Sequence, residues 1–215
     1  MMAAVVLKRI AGLYVVTEDC REPLRCAEVA AAAAAGGAWC VQLRSTRFSE
    51  RDLLRAASAI RDTLSGSGTL FLVNNRVDIA LASEADGVHV GQDDLPAALL
   101  RGMLGPEAIV GVSVGNVTEA ESAEADGASY VAIGPIYATS TKEDAGEPVG
   151  LAPIKAIRRA VGIPVVAIGG ITLANIRDVR AAGADAAALV GAVSGASDMV
   201  EAVKALVRQF EKGIP

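Results

Sequence analysis

WCVQLRSTRFSERDLLRAASAIRDTLSGSGTLFLV, residues Trp39 to Val73, holds one full structural unit, and its reading decides the rest of the chain. WCVQL is short and apolar, as a buried strand is. SERDLLRAASAIRDTL repeats its apolar residues three and four apart, with charges between them, which is an amphipathic helix. TLFLV from Thr69 returns to the strand pattern. Strand, helix and strand in this order build a parallel sheet.

The same alternation extends in both directions. Strand-like runs are GLYVV from Gly12, WCVQL, TLFLV, GVHV from Gly87, AIVGVSV from Ala108, YVAI from Tyr130, PVVAI from Pro164 and AALV from Ala187, eight in all. A second clear helix, LAPIKAIRRA, lies between the sixth and seventh. A turn phrase recurs before each even-numbered run: GGA at Gly36, ADG at Ala85, DGA at Asp126 and AGAD at Ala182. Recurrence every two units is the pattern of a barrel assembled from similar quarters. The fold expected is α/β, a single (β/α)8 TIM barrel forming one domain over residues 1–215. An open doubly wound sheet is the alternative, and no Gly-x-Gly-x-x-Gly follows the first run to support it.

Composition narrows the partners. The chain is 52% hydrophobic and 21% charged, with a net charge of -5 and no basic tract, which argues against a nucleic-acid surface. Cys20, Cys26 and Cys40 make neither a close metal-ligand pattern nor an even disulfide set. The opening MMAAVVLKRIAG is not expected to be a signal peptide, and the alanine-rich run Val29 to Leu43 is too short and weakly apolar to span a bilayer. These features predict a cytoplasmic protein that acts on small molecules without nucleic acid or membrane, and they leave room for a homo-oligomer.

In barrels of this kind function gathers in the loops after the strands. Those loops begin with Gln42 and Arg44, Asn74, Asn75 and Arg76, Gly91, Gln92, Asp93 and Asp94, Ser113, Gly169 and Gly170, and Gly191. After the sixth strand comes GPIYATSTKEDAG, Gly134 to Gly146, with Thr139, Ser140 and Thr141 ahead of Lys142. Such a loop is either a solvated turn or a phosphate site, in which hydroxyls bond the oxygens and the ammonium neutralises charge. Gly170 and Gly191, which lack a Cβ, favour the phosphate, since backbone N–H groups can approach an anion there. Arg44 and Lys142 are more cation than one monophosphate needs. A second ligand, a diphosphate, would use them, and would bring Mg2+ held by carboxylates such as Asp94, with Asp93 beside it.

The phrases LYVVTE, VQLR, NNRVDIALASEADGVHVGQDDLP, IVGVSV, GPIYATSTKED and VVAIGGI span nearly the whole chain and resemble the thiamine-phosphate synthase family. The resemblance implies a (β/α)8 transferase that joins 4-amino-2-methyl-5-hydroxymethylpyrimidine diphosphate to a thiazole phosphate. The products would be thiamine phosphate and pyrophosphate. It implies that Gln42, Arg44, Asn74, Ser113 and Lys142 hold the pyrimidine diphosphate, with Arg44, Lys142 and Ser113 at the reacting centre. Thr139, Ser140, Thr141, Gly170, Val190 and Gly191 would hold the thiazole phosphate, and Asn75 and Asp94 the Mg2+. Pyrophosphate would leave first, and the thiazole nitrogen would capture the pyrimidine cation.

The match breaks at three ligand positions. Thr46 replaces a pyrophosphate-contacting lysine of the family pattern, with Arg47 next to it; Asn75 stands where a metal carboxylate is usual; and Gly191 stands where a serine is common. The related thiazole tautomerases use a histidine after strand five, where this chain has Gly115. A tautomerase and a barrel that binds thiazole phosphate without turnover are the alternative functions. The lone histidine, His89, reads as a core or rim hydrogen-bonding residue, and Cys40 as core packing.

Overall fold

The computed structural model describes residues 10–17, 22–139 and 146–212. The first half of the barrel is β1 (Gly12–Val16), β2 (Cys40–Leu43), β3 (Leu70–Asn74) and β4 (Gly87–Val90). The second half is β5 (Ile109–Val114), β6 (Tyr130–Ile133), β7 (Val165–Ile168) and β8 (Ala186–Leu189). Every strand pairs in parallel with the next, and β1 closes on β8 through Gly12 opposite Ala186, so the sheet is a closed barrel and the doubly wound alternative is excluded. Described helices are α1 (Pro23–Gly36), α2 (Glu50–Leu64), α3 (Val77–Ala82), α4 (Ala97–Leu104) and α5 (Val117–Ala125). They continue with α6 (Ala152–Ala160), α7 (Ile176–Ala181), the short α8 (Gly191–Ser194) and α9 (Met199–Glu211). No described helix is long and apolar enough to cross a membrane.

Strand period two divides the core. Leu13, Val15, Val41, Phe71, Val73, Val88, Val110, Val131 and Val165 face outward and pack with helical residues such as Ala56, Ile60 and Ile157. Inside lie Tyr14, Val16, Cys40, Leu72, Ile109, Tyr130, Ala132, Val166, Ala186 and Ala188. Only 3% of the chain is aromatic, yet Tyr14, Tyr130 and Trp39 meet edge to face in this interior, at centroid distances from 5.3 to 6.4 Å. Room for them comes from small neighbours: a Cβ on Gly111 would lie 2.1 Å from Tyr130 Cζ.

The recurring turn phrase has a physical cause. At the ends of α1, α3, α5 and α7 an alanine N–H reaches back five residues: Ala38 to Ala33, Ala85 to Ala80, Ala128 to Ala123 and Ala184 to Val179. That is the Schellman closure, which needs a left-handed residue just before the alanine. Gly37, Gly127 and Gly183 supply it, but in the α3 copy the residue is Glu84, at φ 53°. The phrase there is therefore Glu84-Ala85-Asp86, with its left-handed residue three positions before Gly87. The residue after each of the last three alanines accepts a backbone N–H from the preceding odd strand: Asp86 from Phe71, Ser129 from Val110 and Asp185 from Val165. Arg61, Arg101 and Arg158, from α2, α4 and α6, bond the same three side chains. These are the similar quarters expected from sequence, with Trp39 filling the equivalent place in the first.

Candidate active site

The carboxyl ends of the strands gather the predicted polar residues. Gln42 is an inward-facing residue of β2, Asn74 ends β3 and pairs with His89 of β4, and Ser113 sits near the end of β5 opposite Ala132. Arg44 follows β2, and its backbone is clamped by the buried Thr17 at the end of β1: Arg44 N donates to Thr17 Oγ1 at 3.0 Å, and that hydroxyl donates to Arg44 O at 3.3 Å. Among the described residues the Arg44 guanidinium has no carboxylate partner. Arg76 differs, because its guanidinium pairs with Asp78 at 2.6 Å and Glu50 at 3.1 Å, so its charge is committed to helices α3 and α2.

Beneath this rim runs a chain of hydrogen bonds. Gln42 Nε2 donates to Tyr14 Oη at 2.6 Å, Tyr14 Oη lies 3.0 Å from Tyr130 Oη, and Tyr130 Oη lies 2.9 Å from His89 Nδ1. His89 Nε2 reaches Ser113 Oγ at 2.9 Å, and Gln92 Nε2 donates to Ser113 O at 2.6 Å. Burial pushes the imidazole down to about 4, with the Asp94 carboxylate pulling it partly back up. Burial also raises both tyrosines well above their ordinary value; Tyr130 adds to the rise of Tyr14, while the hydrogen bond with Tyr14 pulls Tyr130 partly back. His89 therefore holds the hydrogen-bonding role expected for it, and it is neutral at physiological pH. Cys40 is fully buried in the same interior, its thiol pushed up chiefly by desolvation, which agrees with packing.

On the far side the loops after β6 and β7 lock together. Ile136 N and Tyr137 N donate to Ile168 O and Gly169 O at 2.9 and 3.0 Å, and Gly134–Pro135 is a cis peptide. A Cβ on Gly169 would meet Pro135 Cα at 2.6 Å, and one on Gly170 would meet Ala138 O at 2.5 Å. Both glycines also have positive φ, 99° and 62°, so backbone is brought against backbone beside Thr139 where only glycine fits. Asn175 donates from Nδ2 to Gly170 O at 3.0 Å and holds the turn. Val190 and Gly191 begin α8 after β8. Ser140, Thr141 and Lys142 lie outside the described residues.

For a metal, Asn75 and Asp94 sit after adjacent strands. Asn75 is left-handed at φ 60°, and its N–H bonds His89 O at 2.9 Å; Asp94 Oδ2 accepts Gly91 N–H at 2.7 Å. The described residues contain no group of three or more acidic, histidine or cysteine side chains that could hold a metal. One carboxylate and one amide suit Mg2+, which keeps much of its water and completes its shell with phosphate oxygens.

Residues 13–193 match the family model for thiamine monophosphate synthase. The chain belongs to that family. Among its relatives, the thiamine-phosphate synthase of Methanoculleus marisnigri is 50% identical over 195 residues, covering 90% of this chain and 92% of that protein. That of Moorella thermoacetica is 50% identical over 179 residues, with 83% and 85% covered. The solved thiamine phosphate pyrophosphorylase of Pyrococcus furiosus superimposes with a TM-score of 0.85 at 33% identity, covering 97% of this chain and all of that one. A 3-hexulose-6-phosphate synthase, at 21% identity and a TM-score of 0.69, shares the fold.

In this member of the thiamine monophosphate synthase family, Thr46 and Gly191 are exposed at the mouth, as is Asn75, while Asp94 is partly buried. Gly115, in the tautomerase position, is exposed and donates its N–H to Glu119 Oε2 at 2.7 Å. Residues that sequence reasoning passed over are Thr17, Tyr14 and Tyr130. The strand alternation was the signal that would have found the tyrosines, because it places them on the same inward faces as Gln42 and Ser113.

Proposed function

We propose that this protein couples the aminopyrimidine diphosphate to a thiazole phosphate, releasing pyrophosphate and forming thiamine phosphate. The observation that carries the reading is 50% identity to a thiamine-phosphate synthase across nine-tenths of both chains. Gln42, Asn74 and Ser113 hold the pyrimidine, and Arg44 and Lys142 take its diphosphate. Thr139, Ser140 and Thr141, with Gly170, Val190 and Gly191, hold the thiazole phosphate.

In the reaction the bond between the pyrimidine methylene carbon and the diphosphate oxygen breaks, and its electron pair leaves with pyrophosphate. The thiazole nitrogen then gives its lone pair to that carbon. The side chains position the two rings and stabilise charge on the leaving group, with no covalent intermediate on the protein. Mg2+, held by Asp94 and the Asn75 amide, would neutralise the diphosphate further. Thr46 contributes a hydroxyl where a further cation is usual. Cytoplasmic chemistry accords with the buried, unbridged thiol of Cys40.

The tautomerase reading lacks its base, since Gly115 offers only a backbone N–H that Glu119 already occupies. Incubating the pure protein with both substrates and Mg2+ tests the proposal: thiamine phosphate and pyrophosphate should appear in equal amounts. Tight thiazole-phosphate binding with no product would overturn it in favour of a binding protein.

A further inference from the structure

We infer that Tyr14, Tyr130 and His89 are positioning residues: they form one hydrogen-bonded relay through the barrel that forces Gln42 and Ser113 to offer opposite hydrogen-bonding polarity, and so select a ring bearing both an amino donor and a ring-nitrogen acceptor. The inference rests on the proposed pyrimidine site, and concerns residues that touch no ligand themselves.

The relay is continuous, with every link between 2.6 and 3.0 Å. Tyr14 and Tyr130 are 2% and 0% exposed, so no solvent can satisfy a stray proton there, and an unused buried donor is costly. Tyrosine hydroxyls hold their protons at neutral pH, and the imidazole, whose two nitrogens each face a hydroxyl at 2.9 Å, offers one donor and one acceptor nitrogen.

With every proton used, only two arrangements close. In the observed amide orientation Gln42 Nε2 donates to Tyr14. Tyr14 then donates to Tyr130, Tyr130 to His89 Nδ1, and the Nε2–H of His89 to Ser113. Gln42 keeps the acceptor Oε1 for a ligand, and Ser113 keeps a hydroxyl proton to donate. Turning the Gln42 amide over reverses every link and exchanges the two roles. Neither arrangement presents donors at both ends. An aminopyrimidine, with an amino group and ring nitrogens, meets one donor and one acceptor. The corresponding methoxypyrimidine, whose amino group is replaced by an ether oxygen and which carries no ring N–H, leaves an acceptor facing an acceptor in either arrangement.

Tyr130→Phe removes the central hydroxyl and leaves the ring. Its KM for the aminopyrimidine diphosphate should rise about tenfold, with the KM for thiazole phosphate within about twofold of wild type, and its preference over the methoxypyrimidine diphosphate should fall about tenfold, the effect of one lost hydrogen bond. Tyr14→Phe cuts the relay one link further away and should give the same split if Tyr130→Phe fails to fold. Heteronuclear NMR of the single histidine gives an independent readout: one imidazole tautomer in wild type, and a mixture in Tyr14→Phe. Equal rises in both KM values, unchanged discrimination, or mixed tautomers in wild type would overturn the relay. A wild type that makes no thiamine phosphate would instead overturn the proposed function, and the tautomer measurement would still decide the relay.

Discussion

The single histidine makes one consequence of the buried interior directly measurable. An unfolded chain takes up its imidazole proton as pH falls through about 6.5, whereas in the native barrel desolvation delays that step to about 4. Between these values the unfolded state binds the extra proton, so native stability falls as pH falls and rises as pH rises. At roughly 1.4 kcal/mol for each pH unit the full effect is about 3 kcal/mol. It is complete above about 6.5 and gone below about 4, where both states are protonated. Asp94 bears on the imidazole and opposes the shift, while Tyr14 and Tyr130, raised well above 10, stay protonated throughout the interval. Tag-free protein titrated by NMR should show the one imidazole resonance changing near pH 4. Urea unfolding of wild type and His89→Gln at several pH values should give a stability difference that moves in favour of wild type by about 3 kcal/mol from pH 4 to 7, with the carboxylates common to both cancelling. An imidazole that titrates near 6.5, or a difference flat across that range, would refute the claim that burial keeps His89 neutral.

Gly111→Ala should destabilise by about 1 to 3 kcal/mol in thermal or urea unfolding, because the new methyl would lie 2.1 Å from a ring that Tyr14 and Trp39 hold in place. Gly170→Ala should weaken thiazole-phosphate binding, read by calorimetry, since the methyl meets Ala138 O at 2.5 Å and displaces the Thr139 loop. Lys142→Ala should lower the coupling rate far more than thiazole-phosphate affinity, and equal losses would remove it from the diphosphate. Asn75→Asp should lower the Mg2+ concentration needed for half-maximal rate and Asp94→Asn should raise it; an unchanged Mg2+ dependence in both would place the metal elsewhere.

The barrel was legible in the sequence because alternation of apolar runs and helical periods is a local property. Each strand core emerged where it was expected, with small differences at the ends: β8 begins at Ala186, one residue before the predicted run, and Trp39, Thr69 and Pro164 precede their strands. The rim was legible for a related reason: once a strand is located, so is its carboxyl end, and Gln42, Asn74 and Ser113 lie there. The quarter repeat was visible only through its glycines, and the copy that uses Glu84 was read out of register, since hydrogen bonds and not residue identity define the turn.

Sequence by itself therefore determined the parallel barrel, the position of its functional mouth and the family motifs, all of which depend on neighbours within one unit of chain. Tertiary structure alone decided that Arg76 spends its charge on Glu50 and Asp78, that Thr17 clamps Arg44, and that Tyr14, Tyr130 and His89 join Gln42 to Ser113. Tyr14 and Tyr130 stand 116 positions apart in the chain. Which inward side chains meet is set by how the closed barrel staggers its strands, and by small residues such as Gly111 that leave space for a ring. No period in a single strand encodes that stagger.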